Sequence, residues 1–419
     1  MVRIFPFAAL RPDPALAPEV ASVPYDVISA EEAGTVIREN PRSFLRVSRA
    51  DAELPRTPPH DEAIYRRARE NLLAMEKDGI LVRDPEPSLY LYQVGNGERW
   101  TTGLVCTIPV DDLLDGTIRS HELTRRDKEE DRTRHIEVVN AQTGLVFLFY
   151  RDDGRIGPEI GALPGGRDAA VAEVEVEGGL IHRVFRIPDP ARIARAASLV
   201  HPLARLYIAD GHHRAAAATS VALARRREGR GGGEADRFMA VLFPNDRVAI
   251  HGYSRLVTDL PGLTPAAFLE RLSRKFQVRE VAPDETGEVR SRGGVTAKGR
   301  LFRMYLAGKW YELTRAEESP EPGAVPVLDV QVLQDEVLGP LLGVRNPRED
   351  PRLQFLGGSG PVADLEARVD RGEFAVAFAL RPVRIEEVMA VADAGGIMPP
   401  KSTWFEPKLR SGLLVHPLD

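Results

Sequence analysis

A chain of 419 residues with 43% hydrophobic residues can bury a large core, and it suits two or three domains or one elaborated domain. No run approaches the about 18 apolar residues of a membrane helix, and residues 1–10 are too short and too proline-interrupted for a signal peptide. A cytoplasmic protein is therefore expected. The net charge of −6 argues against nucleic acid as a dominant partner, and a single cysteine, Cys106, excludes an intrachain disulfide framework.

The first part of the chain reads as helices mixed with short extended segments. Residues 30–38 and 61–77 predict helices, and the apolar run 44–47 predicts a strand. Between Pro24 and Asp26, the chain predicts a turn with a polar edge. Tyr25 and Asp26 could contact a ligand there, or they could belong to an ordinary loop packed by the tyrosine.

The middle of the chain predicts a sheet. Residues 89–94 and 100–108 flank an Asn-Gly turn, which is a strong hairpin signal. A further strand is expected at 145–150 and a second hairpin over 171–187. The densely charged run 127–134, between the first hairpin and the strand at 145–150, is typical of a solvated helix face.

A strand-to-helix turn is predicted at Asp210-Gly211. Residues 206–209 have the composition of a buried strand, and residues 215–227 are rich in alanine, leucine and arginine, as in a helix. The first turn of a helix leaves backbone N–H groups unpaired at the positive end of the macrodipole, and Gly211 lets a ligand approach the main chain. The turn is therefore a candidate anion site.

Three polar residues, His212, His213 and Arg214, add donors to this turn. Neighbouring helical residues point about 100° apart, so the two histidines could hardly chelate one zinc ion together. Phosphate is the expected ligand. The alternative is an inert helix start in which Asp210 only caps the helix.

After this turn, residues 238–243 and 248–251 predict strands that complete the sheet carrying it. From residue 263 the pattern of helix, strand and hairpin restarts, which indicates a further α+β subdomain.

The last loop, 395–408, cannot be a regular helix because it is rich in proline. Its Lys401, Ser402, Thr403 and Lys408 present donors suited to phosphate. Lysine is scarce in this arginine-rich chain, so two lysines in one short loop favour a role at the central site, which is the candidate anion site at the Asp210-Gly211 turn. We therefore expect the loop to fold back onto that site.

Residues 210–214, Asp-Gly-His-His-Arg, resemble the phosphate-binding box of the ParB and sulfiredoxin superfamily, in particular that of its free serine kinases. His121-Glu122 resembles the His-Glu pair that lies upstream of this box in those kinases, although the insertion between the two motifs is longer here. The whole chain, from Val23-Pro24-Tyr25 to Pro400-Lys401-Ser402, resembles the prokaryotic family called domain of unknown function 1015.

The resemblance implies an α/β fold with α+β additions: a ParB/sulfiredoxin-like mixed-sheet core extended by further α+β subdomains. The corresponding division is an N-terminal α/β segment at 1–85, the core with both motifs at 86–260, and a C-terminal α+β subdomain at 261–419. Sulfiredoxin-like chemistry is not expected, since it needs a thiol where this chain has His212.

The resemblance also implies phosphoryl transfer from ATP or ADP, with Mg²⁺, to the hydroxyl of a small amino acid, most specifically free L-serine. Glu122 would be the general base, Asp210 the magnesium or phosphate-orienting carboxylate, and His213 a further catalytic residue. The resemblance implies phosphate binding by Gly211, His212, His213 and Arg214. The donors of the last loop, Lys401, Ser402, Thr403 and Lys408, are expected to join them. The expected substrate contacts are Tyr25, Asp26, His121 and Thr124.

Two other functions remain open at this point. One is a ParB-like nucleotide-dependent switch, which the acidic net charge and the lack of a recognisable helix-turn-helix disfavour. The other is a metabolite-binding protein without catalysis. The expected partners are a small amino acid and a nucleotide rather than a membrane or nucleic acid. The donor, the choice among serine, homoserine and threonine, and the oligomeric state do not follow from the sequence.

Overall fold

The computed structural model describes residues 1–164, 169–282, 300–315, 327–358 and 363–419. These residues form two compact units. The first unit comprises Met1–Val248 together with Pro407–Asp419, and the second comprises Ala249–Glu406. Helices and sheets are mixed in the described chain, which confirms the α/β fold class.

The elements are numbered in chain order. The strands are β1 Leu10–Pro12, β2 Leu81–Arg83, β3 Leu89–Gly95, β4 Trp100–Pro109, β5 Ile118–Arg119, β6 Ala141–Gln142, β7 Val146–Tyr150, β8 Ala172–Val176, β9 Leu180–Ile187, β10 Leu206–Asp210, β11 Arg237–Pro244, β12 Ala249–His251, β13 Tyr253–Val257, β14 Gln277–Val281, β15 Arg300–Leu306, β16 Lys309–Arg315, β17 Leu353–Gly357, β18 Val376–Ala379, β19 Trp404–Glu406 and β20 His416–Pro417. The α-helices are α1 Ala17–Val20, α2 Ala30–Glu39, α3 Leu45–Ser48, α4 Glu62–Lys77, α5 Asp111–Leu114, α6 Arg126–Val139, α7 Ile156–Gly161, α8 Pro190–Val200, α9 His212–Arg227, α10 Pro265–Ser273, α11 Asp329–Leu333, α12 Ala363–Asp370 and α13 Ile385–Asp393.

A mixed sheet is the core of the first unit, with the strand order β5-β10-β7-β11-β4-β3-β9-β8. The two predicted hairpins, β3 with β4 and β8 with β9, are present and antiparallel. In contrast, β10 pairs in parallel with β5, and β11 pairs in parallel with β7. The central strand β7 is buried at every position, as expected for a strand covered on both faces.

Helix α9 packs against this sheet through small side chains. Ala215, Ala217, Ala218 and Ala222 are buried in the same apolar cluster as strand residues of β7, β10 and β11. Alanine allows the helix backbone to approach the sheet closely while it keeps a high helix propensity. This packing fixes the start of α9 at the end of β10.

Two predictions for single segments are wrong. Residues 44–47 form no strand, because α3 occupies Leu45–Ser48; a short apolar run suits a buried helical turn as well as a strand. Residues 248–251 do not join the main sheet, because β11 is already paired on both sides by β4 and β7. Instead β12 pairs with β19, and Ile250 lies opposite Phe405.

The second unit contains a sheet of β14-β16-β15-β18-β13-β17 in which neighbouring strands are antiparallel. A buried ion triad stabilises it: the Arg381 guanidinium donates to Asp329 at 2.6 Å and to Glu387 at 3.0 Å. Such a triad is costly to break, because one buried charge would lose its partner. No helix among the described residues is long and apolar enough to cross a membrane.

The proline-rich loop of the second unit carries Lys401, Ser402 and Thr403. The Ser402 hydroxyl donates to the carbonyl of Pro399 at 2.6 Å. The Lys401 ammonium lies 5.7 Å from the centre of the Tyr253 ring. Their predicted phosphate-binding role stays a prediction.

Candidate functional site

The parallel pairing of β10 with β5 brings two distant motifs to one place. Leu206 lies opposite Ile118, and Tyr207 lies opposite Arg119. Because parallel strands leave a sheet at the same edge, the segment after β5 and the turn after β10 meet there. The His121 ring contacts the His212 ring edge to face, with centroids 4.8 Å apart. Glu122 follows His121 directly in the chain, so the segment that carries it lies next to the start of α9.

The turn itself depends on Gly211. Its φ is +95°, in the left-handed region, and a Cβ there would lie only 2.9 Å from the Nε atom of Arg214. A larger residue would therefore meet both backbone strain and a clash. Gly211 is also the N-cap of α9, and no side chain caps this helix. The N–H groups of its first turn remain available to an anion.

Two cations flank the Asp210 carboxylate at this turn. The Lys408 ammonium donates to Oδ2 at 3.0 Å, and the Arg214 guanidinium lies 3.6 Å from Oδ1. Burial alone would raise the pKa of Asp210, but Lys408 and Arg214 outweigh it and hold that pKa well below its usual range. Asp210 is therefore ionised at neutral pH.

Lys408 reaches the turn on the final segment of the first unit. Backbone hydrogen bonds between Ser22 and Ser411 fix this segment, and Val415 pairs in the same way with Leu10. The strand β20 then pairs with β6. The predicted approach of a C-terminal lysine to the central turn is thus seen for Lys408, while its role in phosphate binding stays a prediction.

The three histidines of the site carry no charge at neutral pH. Burial lowers the pKa of His121 to about 4 and, with neighbouring His121, lowers that of His212 well below its usual value. Burial also lowers the pKa of His213, although Asp26 and Glu129 oppose the shift. The positive charge of the turn therefore comes from Lys408 and Arg214. Among the described residues, His212 Nε2 and His213 Nδ1 are buried without a hydrogen-bond partner, which suits atoms that bind a ligand.

Acid should destabilise the first unit, because its buried histidines must gain protons on unfolding. The pKa values of His121, His135 and His182 are about 4, below the about 6.5 of an unfolded histidine, so their contribution is present above pH 6.5 and lost as the pH falls towards 4. We expect the free energy of unfolding to fall by about 1.4 kcal/mol per pH unit for each of them in this window. Urea unfolding between pH 7.5 and 5 measures it.

The variant His135→Gln is the control for this expectation. His135 donates through Nε2 to the carbonyl of Val47 at 3.0 Å, and a glutamine amide can also donate. In this variant the free energy of unfolding should fall less steeply with decreasing pH, by the contribution of one histidine. An unfolding midpoint that does not change between pH 7.5 and 5 would contradict the prediction.

The segment that carries Glu122 is held by local hydrogen bonds. The Ser120 hydroxyl donates to the carbonyl of Glu122 at 2.8 Å. Further on, the Thr124 hydroxyl donates to Glu129 at 2.8 Å, and Ser220 donates to the other oxygen of the same carboxylate at 3.2 Å. Glu129 thus ties this segment to α9. The hydroxyl of Thr124 makes a structural contact here, and its predicted substrate contact stays a prediction.

Tyr25 and Asp26 lie close to the start of α9: Asp26 acts electrostatically on His213, and Tyr25 lines the same cavity as Arg214. The Arg132 guanidinium stacks on the Tyr25 ring, 4.3 Å from its centre, and Asp26 is exposed. Burial raises the pKa of Tyr25, so its hydroxyl stays protonated and can donate. Arg132 was not predicted, because it lies within a charged run that reads as a solvated helix face.

A magnesium ion would find one carboxylate at the turn. The described residues contain no cluster of three or more histidine, cysteine, aspartate or glutamate side chains able to hold a metal. Magnesium in phosphoryl-transfer sites is bound by one or two carboxylates together with substrate phosphates and water. Asp210 fits that mode, as a single ligand to an ion that arrives with the nucleotide.

Comparison with known proteins gives a family and several similar folds. The family model described as "Protein of unknown function (DUF1015)" matches residues 4–331. No curated protein matches the sequence. A free serine kinase in complex with AMP is similar at a TM-score of 0.37 and 14% identity, over 74% of this chain and 91% of that chain. A conserved hypothetical protein from Pyrococcus furiosus is similar at a TM-score of 0.36 and 15% identity, over 74% of this chain and 95% of that chain. SbnI with a C-terminal truncation, from Staphylococcus aureus, is similar at a TM-score of 0.38 and 12% identity, over 75% of this chain and 87% of that chain. Because the family model spans well over half of its residues, the chain belongs to the DUF1015 family.

Proposed function

We propose that this protein is a nucleotide-dependent phosphotransferase that phosphorylates the hydroxyl of a small free amino acid, with L-serine as the first candidate. The observation that carries the proposal is the uncapped start of α9, where Lys408 and Arg214 flank Asp210 and the His121-Glu122 segment lies alongside. Phosphoryl transfer needs positioning of the phosphates, neutralisation of their charge and a base for the attacking hydroxyl. Residues 211–214 and Lys408 could position and neutralise the phosphates, and Glu122 could act as the base.

The donor phosphates would bind the N–H groups of residues 211–214. Arg214 offers a planar fork for two phosphate oxygens, and Lys408 offers a compact charge. The buried ring nitrogens of His212 and His213 could form hydrogen bonds with the phosphates without adding charge. Magnesium, held by Asp210 and the phosphates, would supply further neutralisation of charge on the transferred group.

Glu122 would accept the proton of the acceptor hydroxyl. In the transfer, the O–H bond of the serine hydroxyl breaks and its proton passes to the Glu122 carboxylate. The hydroxyl oxygen forms a bond to the terminal phosphorus, and the bond from that phosphorus to the bridging oxygen breaks. The products are O-phosphoserine and a nucleotide with one phosphate fewer.

The proposal is tested by incubating the purified protein with magnesium, either ATP or ADP, and serine, homoserine or threonine. Phosphorus NMR should show a phosphomonoester of one amino acid together with ADP or AMP. Nucleotide binding without turnover of any acceptor would contradict the proposed function and point to a nucleotide-sensing protein. Retention on heparin at physiological salt would favour a ParB-like clamp among such proteins.

A further inference from the structure

A small cavity in the first unit is lined in part by Arg214, and Asp210 is not among its lining residues. Its volume is about 30 Å³. A cavity needs roughly 10 to 15 Å³ to hold one water molecule, so this one has room for a group of a few atoms but not for a nucleoside. Its polar lining residues include Ser48, Thr143, Ser411, Arg132 and Arg214. The Ser48 hydroxyl already donates to the carbonyl of Phe44 at 3.4 Å.

Arg214 faces both the phosphate turn and this cavity. Its Nη2 atom lies 3.6 Å from Asp210, whereas its Nη1 atom lies against Gly144, a residue of the cavity wall. A Cβ at Gly144 would come within 3.1 Å of Nη1 and 3.4 Å of Cδ. Glycine at position 144 therefore leaves the space that this end of the guanidinium occupies. One arginine can then contact a group in the cavity while it remains at the turn.

Arg132 is held in place before any ligand binds. Its Nε and Nη2 atoms donate to Asp131 at 2.9 and 2.6 Å, and its plane covers Tyr25. Asp131 is itself fixed by the Tyr65 hydroxyl at 2.8 Å and by His60 at 2.9 Å. Only 13% of the Arg132 side chain is exposed. A guanidinium restrained in this way loses little entropy on binding an anion.

The charged groups that line the cavity are cationic and favour an anion, and their carboxylate partners, Asp131 for Arg132 and Asp210 for Arg214, lie outside the lining. Among the described residues that line the cavity, Arg132 and Arg214 are the charged ones, and none is a carboxylate. His135 also lines it, but burial lowers its pKa to about 4, so it is neutral. Apolar side chains of Ile136 and Phe238 form part of the wall and strengthen a charge interaction by excluding water. A small planar anion with two oxygens fits this set of donors.

We propose that this cavity binds the α-carboxylate of the amino-acid acceptor, with Arg132 and Arg214 as its counter-ions and the hydroxyls of Thr143 and Ser411 as further donors. This inference rests on the proposed function and narrows its substrate class. The acceptor must carry a free carboxylate, so amino alcohols and serine within a peptide are excluded. Arg132 is then a specificity residue outside the box of residues 210–214.

The test compares serine with serinol, in which a hydroxymethyl group replaces the carboxylate. The wild-type protein should prefer serine by about 10- to 100-fold in kcat/KM, since hydrogen bonds to a charged group contribute that much. Arg132→Met should remove most of this preference by raising the KM for serine, while the KM for the nucleotide changes little. Arg132→Lys should restore part of it. Arg134→Met is the matched control, because Arg134 lies on the same helix α6 but pairs with Glu62 at the surface.

Gly144→Ala is a second variant that retains Arg132. Its added methyl should displace the Nη1 end of Arg214 and raise the KM for serine more than that for the nucleotide. The proposal would be overturned if Arg132→Met and Gly144→Ala each lowered kcat/KM equally for serine and serinol. It would also be overturned if the wild-type protein had the same kcat/KM for both substrates.

Calorimetry separates this inference from the proposed function. If no acceptor is phosphorylated, the proposed function fails, yet serine should still bind the wild-type protein more tightly than serinol, and Arg132→Met should abolish the difference. Inorganic phosphate, which probes the turn of residues 211–214, should bind the wild-type protein and Arg132→Met alike. Serine that binds no better than serinol, with or without nucleotide, would overturn the inference.

Discussion

Replacing Glu122 by glutamine should lower the turnover number with serine by about a hundredfold or more, since positioned general bases contribute on the order of 10²- to 10⁴-fold. Glutamine keeps the shape of the side chain but cannot accept the proton of the hydroxyl. The nucleotide would bind at the α9 turn, which the change leaves intact, so its affinity should stay near the wild-type value. Steady-state kinetics together with nucleotide titration measure the two quantities separately.

Glu130→Gln is the matched control for this change. Glu130 is exposed and pairs with Arg126 one helical turn away, so its loss should leave turnover unchanged. Near-normal turnover of Glu122→Gln with serine would show that Glu122 is not the base. The α9 turn would then remain a candidate nucleotide site whose base lies elsewhere.

Asp210→Asn should reduce turnover by about 10²- to 10³-fold, the range found when one group that stabilises a transition state electrostatically is removed. The change removes the negative charge between Lys408 and Arg214 and the carboxylate proposed for magnesium. Both cations would lose their fixed positions. The defect should persist at every magnesium concentration, which a magnesium titration of kcat would show.

The variant Lys408→Met tests whether Asp210 acts through its ion pair with Lys408. Because Lys408 and Asp210 form one ion pair, the effects of the two changes should be markedly non-additive in the double variant. Asp153→Asn, at an exposed aspartate paired with Arg155, is the control and should have no effect on turnover. Full recovery of Asp210→Asn at high magnesium would contradict a role for Asp210 in positioning the two cations.

The local structure of the turn could be predicted from the sequence, but most of its surroundings could not. A buried strand followed by an alanine-rich helix with Gly211 between them has strong local signals, and the structure has both elements there. The strand β5 comprises only Ile118–Arg119, too short for any periodic pattern. Its parallel pairing with β10 nevertheless brings His121 to His212. Only the resemblance of the His-Glu pair to a known motif indicated this meeting in advance.

The position of Arg132 at the cavity could not be predicted from the sequence, for a different reason. The run from Asp127 to Arg134 is charged at almost every position, so its composition predicts a face in water. In the structure, Arg132, His135 and Ile136 follow a helical spacing of three and four, and they line the cavity. Such spacing in one charged helix does not reveal which side faces a ligand, because that depends on Tyr25 and Asp131 as partners.

The ion pair between Lys408 and Asp210 has a consequence for biosynthesis. The two residues are 198 positions apart, and the second unit is encoded between them. During translation, the strand β10 and helix α9 can assemble while Lys408 is still to be made, because domains fold as units from the N-terminal side. A nascent chain would therefore hold the Asp210 carboxylate without its lysine. If the turn binds phosphate as proposed, the site would be complete only near the end of synthesis. Ribosome-stalled chains that end before residue 407 should then bind nucleotide poorly even when their main sheet is folded.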